Sequence, residues 1–430
     1  MGNIQLKRVT APLQGEVYIP GDKSISHRAI MFASLAEGKT EITNFLDGED
    51  CLHTIDIFKK FGVQIEQTGT NVIVQSKGVH NFEEPKVPLY FGNSGTTARL
   101  LLGLFSGIPY FTTMHGDQYL TVRPMDRVVN PLTKMGAKID GRQNGKYLPI
   151  AVRGKQLQGM TYEAPVKSAQ VKSAILLAGL FAQGNTTVIE LAKTRDHTEN
   201  MLRAFGANIK TEGLSVTIEP VDTLTPVNVT VPGDISSAAF LMVAGAIVPN
   251  SSITLKNVGL NETRTGIIDV MQKMNAKMTI TNQREISGEW LGDITVSYST
   301  LKSMTIDGSY MARLIDEIPI IALLATQAEG TTVIKDAEEL RVKETDRIKA
   351  VVDVLSTLGA NIEETEDGMI IHGKTALRGG NISSYYDHRI AMMGAIAALI
   401  ANSEVWIDDT DSINISYPAF FEHLNLLCKQ

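Results

Sequence analysis

Apolar positions fall into two patterns along this chain. Residues 174–182, 238–247, 318–325 and 391–400 are apolar on every side and rich in alanine. A helix with no polar face is a buried helix, so these stretches predict helices wrapped by other elements. Other segments alternate polar and apolar residues: Gly38-Lys39-Thr40-Glu41-Ile42-Thr43, Gly184-Asn185-Thr186-Thr187-Val188-Ile189 and Gly330-Thr331-Thr332-Val333-Ile334, with a looser copy at Asn250-Ser251-Ser252-Ile253-Thr254-Leu255. Period-two alternation predicts half-buried strands. Amphipathic stretches end at Phe61-Gly62-Val63, Met135-Gly136-Ala137, Phe205-Gly206-Ala207, Met274-Asn275-Ala276 and Leu358-Gly359-Ala360. These are helix stops, with Gly or Asn in the left-handed conformation that ends a helix.

The order buried helix, turn, strand, polar loop, amphipathic helix, strand recurs six times. The sixth copy is partial, running from Ala395 through Val405-Trp406-Ile407 to a C-terminal helix over 419–427. Units of about 70 residues are longer than solenoid repeats and too short for independent domains, so three per half is the natural division. A longer duplication marks the halves. Val17-Tyr18-Ile19-Pro20-Gly21-Asp22-Lys23-Ser24-Ile25-Ser26 is echoed by Val229-Thr230-Val231-Pro232-Gly233-Asp234-Ile235-Ser236-Ser237. Each reads as strand, tight turn and helix N-cap. The predicted fold is α/β: two similar domains, each of three units around buried helices. The chain crosses between them near Pro20 and again near Val231-Pro232-Gly233. The expected boundaries are 21–232 for one domain and 1–20 plus 233–430 for the other, joined by linkers short enough to act as a hinge.

A length of 430 residues favours two domains. The net charge of −7 opposes non-specific nucleic-acid binding, so any anionic ligand must be drawn by a local basic site. Cys51 and Cys428 give no disulfide framework and fit a reducing compartment. The longest apolar run, 391–401, is too short to span a bilayer, and the start lacks a signal-peptide pattern. A cytoplasmic protein away from membranes is expected.

Several predicted buried helices open with polar or charged residues: Asp22-Lys23-Ser24-Ile25-Ser26-His27-Arg28, Gly92-Asn93-Ser94-Gly95-Thr96-Thr97-Ala98-Arg99, Lys167-Ser168-Ala169-Gln170-Val171-Lys172, Asp316-Glu317-Ile318-Pro319 and Asp387-His388-Arg389. Helix starts present free N–H groups and favour anions. Lys23 and Arg28 occur in the first copy of the duplication without counterparts in the second, which points to chemistry on one copy. Taken singly, each motif has a plainer reading: a solvated helix end at Lys23 and Arg28, a turn and cap at Gly92–Thr97, a surface salt bridge at Arg123-Pro124-Met125. The run Arg341-Val342-Lys343-Glu344-Thr345-Asp346-Arg347 reads equally as a solvated helix with i,i+4 pairs or as a site at a helix start. Gly368-Met369-Ile370-Ile371-His372-Gly373-Lys374-Thr375 matches the P-loop pattern, but its spacer looks like strand and Arg378-Gly379-Gly380 breaks any following helix. No zinc-ligand spacing occurs. Asp196-His197 and Asp387-His388 read as mere dipeptides, not parts of a nucleophilic triad.

In combination and in order, Pro20–Arg28, Gly92–Thr96, Arg123-Pro124-Met125, Ser168-Ala169-Gln170, Arg341–Arg347 and Asp387-His388-Arg389 closely resemble the 5-enolpyruvylshikimate-3-phosphate synthase family, over essentially the whole chain. The resemblance implies two domains of three βαβαββ units each, an inside-out α/β barrel with a double-crossover hinge. It implies transfer of the enolpyruvyl group of phosphoenolpyruvate to the 5-hydroxyl of shikimate 3-phosphate, with release of phosphate and no cofactor or metal. By motif, Lys23, Ser24, Arg28, Ser168, Ala169 and Arg195 would line the shikimate 3-phosphate site, with Gln170 between the substrates. Arg123, Arg347 and Arg389, with Lys23 and Lys343, would hold phosphoenolpyruvate, and Asn93 and Gly95 would line that pocket. Asp316 would accept the proton of the 5-hydroxyl, assisted by Lys23. Glu344 would act as acid and then base, its pKa raised among close anions. Domain closure is expected to assemble these groups. The expected partners are these small molecules, with glyphosate a candidate inhibitor whose potency the sequence leaves open, and a monomeric state is expected.

Two departures from the commoner family pattern stand out. Ala169 replaces a second serine, and Ile415-Ser416-Tyr417-Pro418 lacks a lysine before the aromatic-Pro pair. Both resemble the divergent second class of the family, often less sensitive to glyphosate, yet Gly95 leaves room for that inhibitor. Three other readings compete. The sister transferase acting on UDP-N-acetylglucosamine usually carries a loop cysteine, which Thr112-Thr113-Met114-His115-Gly116-Asp117-Gln118 lacks. A six-unit clamp would need a basic inner face, against the −7 charge. A sugar-phosphate binder without turnover would use Asp316 and Glu344 as counter-ions alone.

Overall fold

The computed structural model describes residues 4–428. The chain forms two compact units. The first holds Gly21–Val231 with the turn Ile286–Glu289; the second holds the chain up to Pro20, Pro232–Glu285 and the chain from Trp290 on. The turn 286–289 lies with the first unit because Ser287 Oγ accepts the Thr230 N–H at 3.3 Å and Glu289 bonds His197 at 2.7 Å.

The first unit contains three four-stranded sheets with one pairing pattern. The first runs Val229–Thr230, Glu37–Thr43, Asn71–Lys77, Gln64–Thr68; its first pair is parallel, with Val229 opposite Ile42, and the others are antiparallel. Leu89–Tyr90, Phe111–His115, Tyr147–Arg153 and Lys138–Gly141 repeat the arrangement. So do Thr161–Glu163, Thr186–Ile189, Ser215–Ile218 and Ile209–Glu212. In the second unit Gln14–Tyr18 pairs in parallel with Ser252–Gly259, and Leu301–Lys302 and Thr305–Ile306 pair in parallel with Ala328–Ile334. The sixth sheet has three strands, Gly380–Ile382, Val405–Ile407 and Ile4–Leu6. Thus the N-terminal strands belong to the second unit's sheets, and Val229–Thr230 returns to the first unit's. The chain passes between units after Pro20 and again after Val231.

Each unit surrounds three buried helices: α1 (Lys23–Leu35), α2 (Gly95–Gly107) and α3 (Ala169–Gly179) in the first; α4 (Ile235–Ile247), α5 (Ile318–Thr326) and α6 (His388–Ala398) in the second. Every residue of α4 and α5 is buried, as the apolar runs 238–247 and 318–325 that make up most of them require. The helices start where the polar motifs stand because those motifs are caps. Asp22 accepts the Ile25 N–H at 2.9 Å and Asp234 that of Ser236 at 2.8 Å. Ser94, Ser168 and Asp387 cap α2, α3 and α6 in the same way, while α5 opens with Pro319 in its first turn. At the stops of the amphipathic helices Gly62, Gly136, Gly206, Asn275 and Gly359 have φ between 68° and 95°. Packing in the first unit depends on Gly103: a Cβ there would lie 2.1 Å from the Ala174 carbonyl oxygen, so α2 and α3 touch backbone to backbone. The P-loop-like segment is the strand Gly368–Gly373, followed by irregular chain and the strand Gly380–Ile382. Among the described residues no helix is long and apolar enough to cross a membrane.

Candidate functional site

In the first unit the capped starts of α1, α2 and α3 carry the residues singled out in the sequence. Lys23 opens α1 and its ammonium lies 2.5 Å from Asp50 Oδ2. Arg28, one turn deeper, is buried. Its guanidinium donates to Thr198 Oγ1 (2.7 Å), Ser173 Oγ (3.0 Å) and the Ser24 carbonyl (2.9 Å), so Ser24 holds Arg28 through its backbone. Burial pushes the Arg28 pKa down to about 10, with Arg195 adding to the effect and Glu199, Asp22 and Glu289 opposing it. Two guanidiniums close enough to disfavour each other's charge are a prepared place for an anion. Arg195 sits half-buried in the loop before the helix His197–Ala204.

Gln170, in the first turn of α3, accepts from Arg99 Nη1 at 2.7 Å and donates to Thr96 Oγ1 at 3.0 Å. Arg99 also donates to the Pro124 carbonyl at 3.1 Å, beside Arg123, and Arg123 Nη1 donates to the Asn93 carbonyl at 3.4 Å. Gly95 lies under these cations. A Cβ at Gly95 would come within 2.9 Å of Arg99 Nη1 and 3.0 Å of Arg123 Cζ and Nη2. Ser168 caps α3 and Ala169 follows it as the first helical residue. Thus Arg123, Arg99, Gln170, Asn93 and Gly95 form one cluster, and Arg28, Ser24, Ser173 and Thr198 another.

The second unit gathers acids and bases at the starts of α5, α6 and the helix Arg347–Thr357. Asp316 Oδ1 receives Lys343 Nζ at 3.2 Å and Arg347 Nη1 at 3.4 Å. Arg347 is buried and also bonds Glu344 Oε2 (2.6 Å) and Asp387 Oδ2 (2.8 Å). Burial alone would lower its pKa, but Asp387, Glu344 and Asp316 outweigh it and hold the guanidinium above its ordinary value. Arg389 donates to the Asp316 carbonyl at 3.0 Å. Three carboxylates, Asp316, Glu344 and Asp387, interleave here with three cations, Lys343, Arg347 and Arg389, and the two less buried acids can exchange protons beside an anion held by the cations.

The run 341–347 is not a continuous helix. Residues Glu338–Val342 form a 3-10 turn, and a new helix starts at Arg347, capped by Asp346. Sequence reasoning missed Asp50 and Asp387 as buried counter-ions, Arg99 as the partner of Gln170, and Glu317. Glu317 is buried, its pKa raised first by burial and further by Asp316, while its carboxylate accepts from Ser236. Asp387 carried a cap signal, an Asp before an apolar helix, but nothing local announced Arg347 as its partner. Among the described residues no group of three or more His, Cys, Asp or Glu is placed to hold a metal ion.

A profile of the family described as EPSP synthase (3-phosphoshikimate 1-carboxyvinyltransferase) matches residues 7–424. The chain is 56% identical over 429 residues to a 3-phosphoshikimate 1-carboxyvinyltransferase of Oceanobacillus iheyensis, with 100% of both chains covered. It is 58% identical over 420 residues to the Bacillus pumilus protein of that name, covering 97% of this chain and 98% of the relative. A solved EPSP synthase from Acinetobacter baumannii superposes with a TM-score of 0.89 at 43% identity, covering 99% of this chain and 98% of that one. With family motifs at the starts of α1, α2, α3 and α6 and likeness running the full length, this chain belongs to the EPSP synthase family.

Proposed function

We propose that this chain transfers the enolpyruvyl group of phosphoenolpyruvate to the 5-hydroxyl of shikimate 3-phosphate, giving 5-enolpyruvylshikimate 3-phosphate and phosphate in the shikimate pathway. The observation that carries the reading is the acid–base cluster of the second unit, where Asp316 and Glu344 each bond a cation suited to an anionic substrate. Lys23, Ser24, Arg28, Ser168, Ala169, Gln170 and Arg195 are assigned to shikimate 3-phosphate. Arg123, Lys343, Arg347 and Arg389 are assigned to phosphoenolpyruvate, with Lys23, Asn93, Gly95 and Gln170 beside it. Bidentate guanidinium groups suit its carboxylate and phosphate.

In the reaction Glu344 gives a proton to the methylene carbon of phosphoenolpyruvate, leaving the adjacent carbon cationic. The 5-hydroxyl oxygen attacks that carbon while Asp316, with Lys23 assisting, takes its proton. The resulting tetrahedral ketal loses phosphate as Glu344 recovers a proton from the methyl carbon, restoring the double bond. The motifs for the two substrates divide between the 21–232 and the 1–20 plus 233–430 segments. A cytoplasmic monomer is the form in which we expect the enzyme to act, with glyphosate competing at the Arg123 and Gly95 cluster.

The test is phosphate release from phosphoenolpyruvate with shikimate 3-phosphate, against a UDP-N-acetylglucosamine control. Release dependent on shikimate 3-phosphate alone is expected. Release with the nucleotide sugar, or with neither acceptor, would overturn the assignment.

A further inference from the structure

The first unit buries a charged cluster that the reaction above does not use. Lys172, on the second turn of α3, is buried with Glu199, and Glu190 is nearly so. An ammonium has three protons to donate, and Lys172 Nζ meets three oxygens: Glu199 Oε1 at 2.6 Å, Glu190 Oε2 at 3.0 Å and the Thr194 carbonyl at 3.4 Å. Glu190 Oε1 in turn accepts the Thr194 N–H at 3.2 Å and the Thr194 hydroxyl. The loop 190–194 is therefore folded back on itself and clasped at both ends to one lysine. Arg195 is the next residue.

The neighbouring side chain of α3 completes the arrangement. Ser173 Oγ lies 2.7 Å from Thr198 Oγ1, and these two hydroxyls are the ones that Arg28 donates to. Lys172 and Ser173 together fix the segment 190–199 against α3, and that segment presents Arg195 from its loop and Thr198 to Arg28. A buried lysine gathering two carboxylates is costly to desolvate, and well-packed apolar residues would serve stability as well. Its cost is matched by what it sets in place: the guanidinium of Arg28 in a fixed orientation, close to a second guanidinium.

We propose that Lys172 is a positioning residue for shikimate 3-phosphate: by clasping Glu190, Glu199 and the Thr194 carbonyl, it places Arg28 and Arg195 for the substrate's anionic groups. The inference rests on the assignment of Arg28 and Arg195 to shikimate 3-phosphate made above.

The experiment compares steady-state constants for each substrate separately. Lys172→Met with both Glu190→Gln and Glu199→Gln removes the lysine without leaving either carboxylate unmatched, and Glu190→Gln alone loosens the loop while keeping the Lys172–Glu199 pair as a milder second variant. Misplacement of a binding group by a fraction of an ångström to 1 Å should raise KM for shikimate 3-phosphate on the order of tenfold to a hundredfold. KM for phosphoenolpyruvate should stay within about twofold, a split that general loosening of the fold would not produce. In an Arg28→Ala, Arg195→Ala background the Lys172 effect should vanish. Folded variants with unchanged KM for shikimate 3-phosphate, or with both KM values rising together, would overturn the positioning role. The two failures separate cleanly. If Arg28→Ala leaves KM for shikimate 3-phosphate unmoved, the substrate assignment falls; if it raises KM while the Lys172 and Glu190 variants do not, the positioning role alone falls.

Discussion

Gly95→Ala tests the cation cluster of the first unit with a single methyl group. Gly95 is the first residue of α2. The added carbon would sit 3.0 Å from Arg123 Cζ and Nη2 and 2.9 Å from Arg99 Nη1. Ordinary carbon contacts begin near 3.5 Å, so about 0.5 Å must be given up. Arg99 resists, because it is tied to Gln170 and to the Pro124 carbonyl. Arg123 donates to the Asn93 carbonyl at a longer 3.4 Å and is the side chain that should swing. A shift of 1 Å in a binding group costs up to about a hundredfold, so half of that should raise KM for phosphoenolpyruvate about tenfold, or about 1.4 kcal/mol. The fold should not suffer, since alanine in place of glycine in a helix gains at most about 1 kcal/mol. The assay is initial-rate kinetics with each substrate varied in turn, alongside thermal melting. KM for shikimate 3-phosphate should hold within about twofold, because the three atoms nearest the added carbon belong to Arg99 and Arg123 and none to Lys23, Ser24, Arg28 or Ser168. An inhibitor that occupies the same cluster, glyphosate included, should weaken at least as much as phosphoenolpyruvate. Equal shifts in both KM values, or no shift for phosphoenolpyruvate with unchanged melting, would refute the placement of Arg123 over Gly95 as a substrate contact.

Three further outcomes follow from the geometry. Glu344→Gln should lower kcat by about 10²- to 10⁴-fold with near-normal substrate binding in equilibrium titration, and near-full turnover would sink the acid role. Asp387→Ala strips the buried Arg347 guanidinium of its 2.8 Å partner and α6 of its cap, so urea denaturation should show a loss of about 3–5 kcal/mol. The third concerns pH. Burial first, then Lys23 and Arg28, hold the pKa of His27 well below 6.5, while its Nδ1 lies 2.8 Å from Thr54 Oγ1. Below pH 6.5 the unfolded chain therefore binds a proton that the folded protein refuses, and stability falls as pH falls toward the folded value, by at most about 1.4 kcal/mol per pH unit. His27→Gln should remove that share of the slope in unfolding free energy measured between pH 6.5 and 5; an unchanged slope would show that His27 is protonated in the folded state.

The sequence made the architecture legible because its signals are local. A glycine or asparagine at a helix stop, a Thr/Ile alternation and an alanine-rich run each state a backbone or burial preference within a few residues, and their sixfold recurrence outweighs any one weak signal. The caps show the same locality. Asp22, Ser94, Ser168, Asp234 and Asp387 could be placed before helices because a cap and its N–H group lie within three residues. Charge was legible to a lesser depth. The run 341–347 reads equally as one solvated helical face or as a site at a helix start, since i,i+4 spacing cannot choose between them; in the fold the run breaks at Lys343, and Asp346 caps the helix that follows. Lys172 read as one more cation at a helix start, yet it is buried with partners many residues away, Glu190 and Glu199, and Asp50 is buried against Lys23 with no local signal to pair them. No local rule pairs such charges, because the pairing is set by which sheets fold over which helices. The residues assigned to the substrates could be read from motif and cap, whereas the buried charges packed behind them could be read from the packed structure alone. For that reason the assignments at helix starts and the role of Lys172 stand on different footings, and the KM split between the two substrates is the measurement that holds them apart.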